Sequence, residues 1–195
     1  MLKNILKKYT PQLYVQIWEN RIKVTNINTG NIYDEKPLIA IETDEKGNKK
    51  ILEFGNNAAS QSGRQVEIIN PFSHPRVLFS DFESGEKLLQ HILFLLLGNK
   101  RLSSSPVVVI HPMEKIEGGL TMIEKRALSE LGAGAGAGAR EIVVYQGKEL
   151  SIHKFDFWEL ESNDKKSIDK SAKSSFFLII VVILIIIGIL VIKRS

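Results

Sequence analysis

Residues 132–139 read GAGAGAGA. Glycine at this density suits a phosphate cradle, because backbone N–H groups reach an anion only where no side chain intervenes. A dinucleotide-binding turn has its glycines after a strand and before a helix, so that the helix N-terminus meets the pyrophosphate. Here the order is reversed: the helical MIEKRALSEL precedes the run and the strand-like REIVVY follows it. The run therefore falls at a helix C-terminus, where the dipole repels phosphate and glycine ends the helix.

The remaining reactive side chains form no catalytic pattern. His74, His91, His111 and His153 lack H-x-x-x-H and H-E-x-x-H spacing, and each reads as a structural or surface histidine; no metal is expected. Ser103 to Ser105 lie outside any G-x-S-x-G elbow. Glu114, Glu117 and Glu124 stand near a helix start, where carboxylates suit the dipole and no acid–base pair can be drawn. Asp156, Trp158 and Glu159 fit either a docking patch or an edge strand packed on the domain. Cysteine is absent, so disulfides and thiolate sites are excluded. The net charge of +4 carries no aromatic-and-basic stripe, and no nucleic-acid partner is expected.

The elements that must position these residues follow from periodicity. Leu13, Val15 and Ile17, then Ile22, Val24 and Ile27, alternate as paired antiparallel strands about a turn near Glu19–Asn20. Leu38–Ile41 is expected as a third strand, with further strands at 51–54 and 66–69 and a short helix around Asn57–Ala59. From Ser84, Leu88, Leu89, Ile92, Leu93, Leu95 and Leu96 give one broad apolar helix face, and Gly98 ends it. Val107–Ile110 is a continuous apolar run of the kind buried on both faces. A helix over about 120–131 and a strand at 141–145 complete a strand–helix–strand unit, which requires a parallel pair. The order predicts an α/β, ribonuclease-H-like domain with a mixed five-stranded sheet.

Both ends of the chain point to a membrane. FFLIIVVILIIIGILVI, residues 176–192, has no polar side chain; as a helix it would span roughly 25 Å, with Lys173, Lys193 and Arg194 able to snorkel. It is read as a transmembrane anchor behind a charged linker at 161–175. Lys165, Lys166, Lys170 and Lys173 before the span outnumber Lys193 and Arg194 after it, which places the N-terminal part in the cytoplasm. No apolar signal core opens the chain, so it reads as tail-anchored. Residues 1–10 form a basic amphipathic segment: Leu2, Ile5 and Leu6 suit insertion, and Lys3, Lys7 and Lys8 suit lipid phosphates. The same spacing fits a first helix packed on the domain.

Three stretches carry a family resemblance. TMIEKRALSELGAGAGAGAREIVVY is similar to the helix–turn–strand of MreB, the rod-shape-determining bacterial actin family, which reads similarly around E-R-R-A and G-A-G-A-R-E. FSDFESGEKLLQHIL resembles that family's A-D-F…T-E-K-M-L-Q-H stretch through Asp81, Phe82, Glu86, Lys87, Leu89, Gln90 and His91. MLKNILKKYTPQLYVQIW resembles its amphipathic N-terminus and first strand. The resemblance implies an actin-like N-terminal lobe over 11–160, with a small subdomain inserted at about 44–100. Where the family carries D-L-G-T for metal and phosphate, this chain has Gln16, Ile17, Trp18 and Glu19; where it carries E-E-P to position water, this chain has Gln146, Gly147 and Lys148. The family's second lobe has no counterpart within these residues.

With the resemblance, the expectation is a non-catalytic domain without a cofactor, tethered at the cytoplasmic face of the bacterial inner membrane and binding MreB or another membrane-complex component. An adaptor of a pilus or secretion platform, and an ATPase half completed by another chain, remain as alternatives. Leu6→Glu in a chain lacking residues 174–195 is expected to weaken flotation with anionic liposomes; unchanged flotation would remove the insertion role.

Overall fold

The structure is a computed structural model that describes residues 10–98, 105–134, 139 and 141–162. The surface residues Leu2, Lys3, Ile5, Leu6, Lys7 and Lys8, the linker beyond residue 162, the apolar segment 176–192, and Ser103 and Ser104 lie outside the described residues. Among the described residues no helix is long and apolar enough to cross a membrane.

Strand β1 (Gln12–Ile17) turns back as β2 (Ile22–Asn26), with Trp18 N donating to Arg21 O at 2.9 Å, and β3 (Ile32–Glu35) follows. The chain then leaves this sheet for β4 (Ile39–Thr43), β5 (Lys49–Phe54), the one-turn helix α1 (Gly55–Ala58) and β6 (Val66–Ile69). It returns through α2 (Phe82–Leu97), β7 (Val107–Pro112), α3 (Met122–Gly134) and β8 (Glu141–Val144). The main sheet has the order β3-β2-β1-β7-β8, with β1, β7 and β8 parallel and the other pairs antiparallel. The mixed five-stranded sheet is thus the expected one, and β4, β5 and β6 form a separate three-stranded sheet.

One expectation is corrected. Leu38–Ile41 does not supply the third strand of the main sheet; IYDE at 32–35 does, despite its exposed alternate positions, because the tight turn with Gly30 at φ +77° returns it alongside β2. The small sheet opens with β4 at Ile39, and α2 packs against α3 and β3.

Local chemistry sets the helix ends. The Asp81 carboxylate accepts from Ser84 N at 3.2 Å and Ser84 Oγ at 2.6 Å at the start of α2, and Gly98 at φ +54° follows its last turn. Thr121 and Glu124 form a reciprocal capping box ahead of α3: Thr121 N donates to Glu124 Oε2 at 2.7 Å and Glu124 N to Thr121 Oγ1 at 3.2 Å. One face of the main sheet, through Leu13, Val15, Ile17, Val24, Val108 and Ile110, packs with Leu88, Leu89, Ile92 and Leu93 of α2 and Leu128 and Leu131 of α3. The opposite face is buried as well, at Tyr14, Gln16, Val107, Val109, His111 and Val143.

Helix α3 runs three residues into the glycine–alanine run, past the expected end at Leu131. Gly132 is there because space is short: a Cβ would come within 2.9 Å of Ile110 Cδ1 and 3.2 Å of Ile142 Cγ2. Glycine lets the helix approach the strands. Residues 135–138 lie outside the described residues. Residues 158–162 belong to a second unit and are helical, with Ser162 Oγ donating to Glu159 O at 2.9 Å; they supply no edge strand.

Gly132→Val is expected to lower the stability of the full chain by about 1–3 kcal/mol through overpacking, and Ala133→Val on the exposed side by about 0.5 kcal/mol or less. Urea unfolding of both variants checks this, and equal effects would remove the close-packing role.

Candidate functional site

Because β1, β7 and β8 run parallel, their C-terminal ends share one edge of the sheet. Gln16–Glu19, Met113–Lys115 and Tyr145–Glu149 all extend from that edge. The residues singled out from the sequence, Gln16, Trp18, Glu19 and Gln146, accordingly come to one end of the lobe, together with Glu114, Lys115 and Glu149.

Gln16, Trp18 and Glu19 each have a partner or a cover. Gln16 pairs in register with His111 and is buried, and its Nε2 donates to Glu149 Oε1 at 2.8 Å. Trp18 is half-buried under the Arg21 guanidinium, which lies 4.9 Å from its ring centroid. Arg21 is held there by a two-pronged contact with Asp34, Nε to Oδ1 at 2.7 Å and Nη2 to Oδ2 at 2.6 Å. The Arg21 hydrogen bond keeps the Asp34 carboxyl below its ordinary range. The backbone N–H of Glu19 donates to Glu114 Oε2 at 2.8 Å, and the Glu19 carboxylate pairs with Lys115 Nζ at 2.8 Å. Asn70 Nδ2 donates to the Glu19 carbonyl at 2.8 Å, and Lys115 Nζ also donates to the His74 carbonyl. Lys115 takes φ +57°, a conformation that L side chains rarely adopt, and its two contacts hold it there.

Beneath this edge lies a buried polar chain whose proton positions can be assigned. Leu150 N donates to Tyr14 Oη at 3.2 Å, and Tyr14 Oη meets His111 Nδ1 at 2.6 Å. His111 Nε2 faces the Gly147 carbonyl at 3.1 Å. A carbonyl only accepts, so Nε2 carries the imidazole hydrogen; Nδ1 is then an acceptor and the Tyr14 hydroxyl donates to it. Tyr14 Oη and both imidazole nitrogens of His111 are thereby satisfied. Burial pushes the Tyr14 phenol up to about 12. Burial also holds His111 below its ordinary 6.5, against the opposing influence of the Gly147 carbonyl and Glu149. The Phe155 ring lies 5.6 Å from that of Tyr14, and Tyr145 meets His111 edge-on at 4.9 Å.

His111, His91 and His74 each make structural contacts. His111 joins strand to loop, and His91 stacks on Phe54 at 4.0 Å and 11° between planes, tying α2 to β5. His74 Nδ1 accepts from Arg76 N at 3.2 Å in an exposed turn. Among the described residues no cluster of three or more histidines and acids could hold a metal ion. Sequence reading missed the Tyr14–His111 pair and the roles of Glu114, Lys115 and Glu149, which depend on long-range contacts. The one signal available was polar Tyr14 and Gln16 interleaved with an apolar set in β1.

Comparison with known proteins follows the same outline. The family model described as MreB/Mbl protein matches residues 12–150. The cell shape-determining protein MreB of Escherichia coli is 28% identical over 151 residues, covering 75% of this chain and 41% of that protein. The corresponding protein of Haemophilus influenzae is 30% identical over 121 residues, covering 60% of this chain and 32% of its own length. Among solved structures, MreB5 of Spiroplasma citri bound to ADP superposes with a TM-score of 0.54 at 18% identity, over 71% of this chain and 39% of that one. The AMPPNP-bound form gives 0.53 at 17% identity over the same shares. This chain thus spans about two-fifths of the length of the first of these relatives.

Tyr14→Phe removes the hydroxyl that serves both His111 and Leu150, and is expected to cost about 1–3 kcal/mol by leaving buried groups unpaired. Denaturant unfolding measures it. The raised phenol also predicts a native state whose Tyr14 contribution is intact below pH about 10 and lost as pH climbs toward about 12.

Proposed function

This chain belongs to the MreB/Mbl family, whose matched relatives are cell shape-determining proteins, and from that premise we propose that it is a non-catalytic, membrane-tethered member that binds a cytoskeletal or morphogenetic partner. The observation that carries the reading is the Glu19 backbone N–H at the end of β1. It is the kind of donor a phosphate requires, and the Glu114 carboxylate already accepts from it at 2.8 Å.

The surroundings favour the same reading. Glu19, Glu114 and Glu149 bring three carboxylates to this edge against Lys115 and Lys148, and Lys115 is spent on Glu19 and the His74 carbonyl. A polyphosphate would have to displace a carboxylate from its hydrogen bond and then sit beside two more, with Trp18 in a place that calls for a small residue. The residues present do not fit a nucleoside triphosphate with its metal. Gln16 provides a neutral amide where an anionic metal ligand would be needed, and that amide is bound to Glu149.

Without catalysis to perform, the lobe has its surfaces to offer. Phe94 and Leu95, 54% and 55% exposed, and Met122 and Ile123, 88% and 81% exposed, are large apolar side chains available for contact. The apolar segment 176–192 would fix the lobe at the cytoplasmic face of the membrane, and the basic residues 1–10 would press it toward the lipid, raising its effective concentration for a partner in the same plane.

Two measurements test the proposal. Titration of the full chain with Mg-ATP is expected to give no saturable signal stronger than a Kd of about 1 mM. Micromolar binding would restore the ATPase alternative. Crosslinking of the membrane-embedded chain in its native cells is expected to capture a full-length MreB. Capture of a pilus or secretion component with MreB absent would make the lobe an adaptor for that machine instead.

A further inference from the structure

We propose that residues Gly147–Phe155 form a strap over the second face of the main sheet, and that uptake of a proton by His111 opens it. After β8 these residues join no strand; their regular structure is a single 3-10 turn at Ile152–Lys154. Four contacts from the sheet hold them. His111 Nε2 donates to the Gly147 carbonyl at 3.1 Å, and Leu150 N donates to Tyr14 Oη at 3.2 Å. Gln16 Nε2 donates to Glu149 at 2.8 Å, and the Phe155 ring lies against Tyr14. Three of the four run through Tyr14 or His111.

The proton assignment makes this arrangement conditional. The strap closes only with a neutral imidazole, because Nδ1 must accept from Tyr14. A second proton turns Nδ1 into a donor aimed at the Tyr14 oxygen. Tyr14 must then turn its own hydrogen away, into a buried space with its acceptor gone, while a charge is left beneath the strap. The groups facing His111 are Tyr14 from β1, Tyr145 beyond β8, and Glu149 with the Gly147 carbonyl from the strap. Glu149 alone among them is charged and favours the imidazolium. It lies on the exposed part of the strap and is already bound to Gln16, so desolvation prevails.

The direction follows from linkage. Opening returns His111 to water, where it titrates at its ordinary 6.5, whereas in the closed lobe burial favours the neutral imidazole down to lower pH. The closed state is therefore fully favoured above pH 6.5 and weakens as pH falls below it. Between about pH 7.5 and about pH 5.5 the opening equilibrium grows by up to about tenfold. Opening bares Tyr14 and the strand face around it, and leaves the face covered by α2 and α3 in place.

Hydrogen–deuterium exchange of the full chain at about pH 7.5 and about pH 5.5, corrected for the intrinsic exchange rate, tests the strap. Peptides covering 147–155 are expected to lose protection at the lower pH, by up to about tenfold, while peptides in β1 and β7 keep theirs. His111→Gln, which can still accept and donate but does not titrate, should abolish the pH response. Tyr14→Phe supplies an independent arm: its strap should exchange faster at about pH 7.5. Equal strap protection at both pH values in the wild type would overturn the proposal. So would equal losses in β1 and β7, an undiminished response in a folded His111→Gln chain, or a Tyr14→Phe strap as protected as the wild type.

Discussion

The pairing of β1 with β7 is the constraint from which the rest of the lobe follows. Leu13–Ile17 and Val107–Pro112 are buried along their whole lengths, so this parallel pair needs a cover on each face. The two faces solve this differently. On one, apolar side chains meet the apolar stripes of α2 and α3, and the burial needs no direction beyond shape. On the other, Tyr14, Gln16 and His111 enter the buried layer, and each polar atom must find a partner at hydrogen-bond distance. The backbone and Glu149 of residues 147–150 supply those partners, which is why a segment with little regular structure is placed so definitely.

Two of the three stretches of family resemblance converge on one interface. Gly85 on α2 approaches Leu131 on α3, where a Cβ would lie 3.4 Å from Leu131 Cδ1. One turn later Gln90 Nε2 donates both to Glu86, at 3.2 Å, and to the Gly134 carbonyl, at 2.8 Å, so α2 satisfies an end group of α3. Gly132 then brings that helix down on Ile110 and Ile142. The motif around GEKLLQH and the motif around LGAGAGA are thus two sides of one contact. His91 extends it to the small sheet by stacking on Phe54.

At the open edge of the sheet the chemistry inverts what an anion site needs. Backbone donors at strand ends are inexpensive ligands for phosphate, provided nothing nearer and negative takes them. Glu114 takes the Glu19 N–H, Lys115 is neutralised by Glu19, and Gln16 is bound to Glu149. The edge is internally satisfied. Such a site favours a lobe that works through its surface, which agrees with the scaffold role proposed for this member of the family.

The sequence by itself determined the elements whose signals are local. Alternation set β1 and β2, the apolar stripe and the Asp81 cap set α2, the Thr121–Glu124 box set α3, and the unbroken VVVI declared a strand buried on both faces. The order of those elements was enough for a mixed five-stranded sheet, though not for which segment supplies its third strand. Tertiary structure decided what depends on distant partners. Ile32–Glu35 is a strand because β2 receives it, although its own pattern is weak. Gly132 in the glycine–alanine run is packing space, which no local turn rule can reveal, since the atoms it avoids belong to Ile110 and Ile142. Alternation places Tyr14 and Gln16 on the face opposite Leu13, Val15 and Ile17. Tyr14 and Gln16 are buried because residues 97 to 136 positions away, His111, Glu149 and Leu150, fold back to meet them. Periodicity reports which face of an element differs from the other; which faces end up covered is settled only when the whole chain has packed.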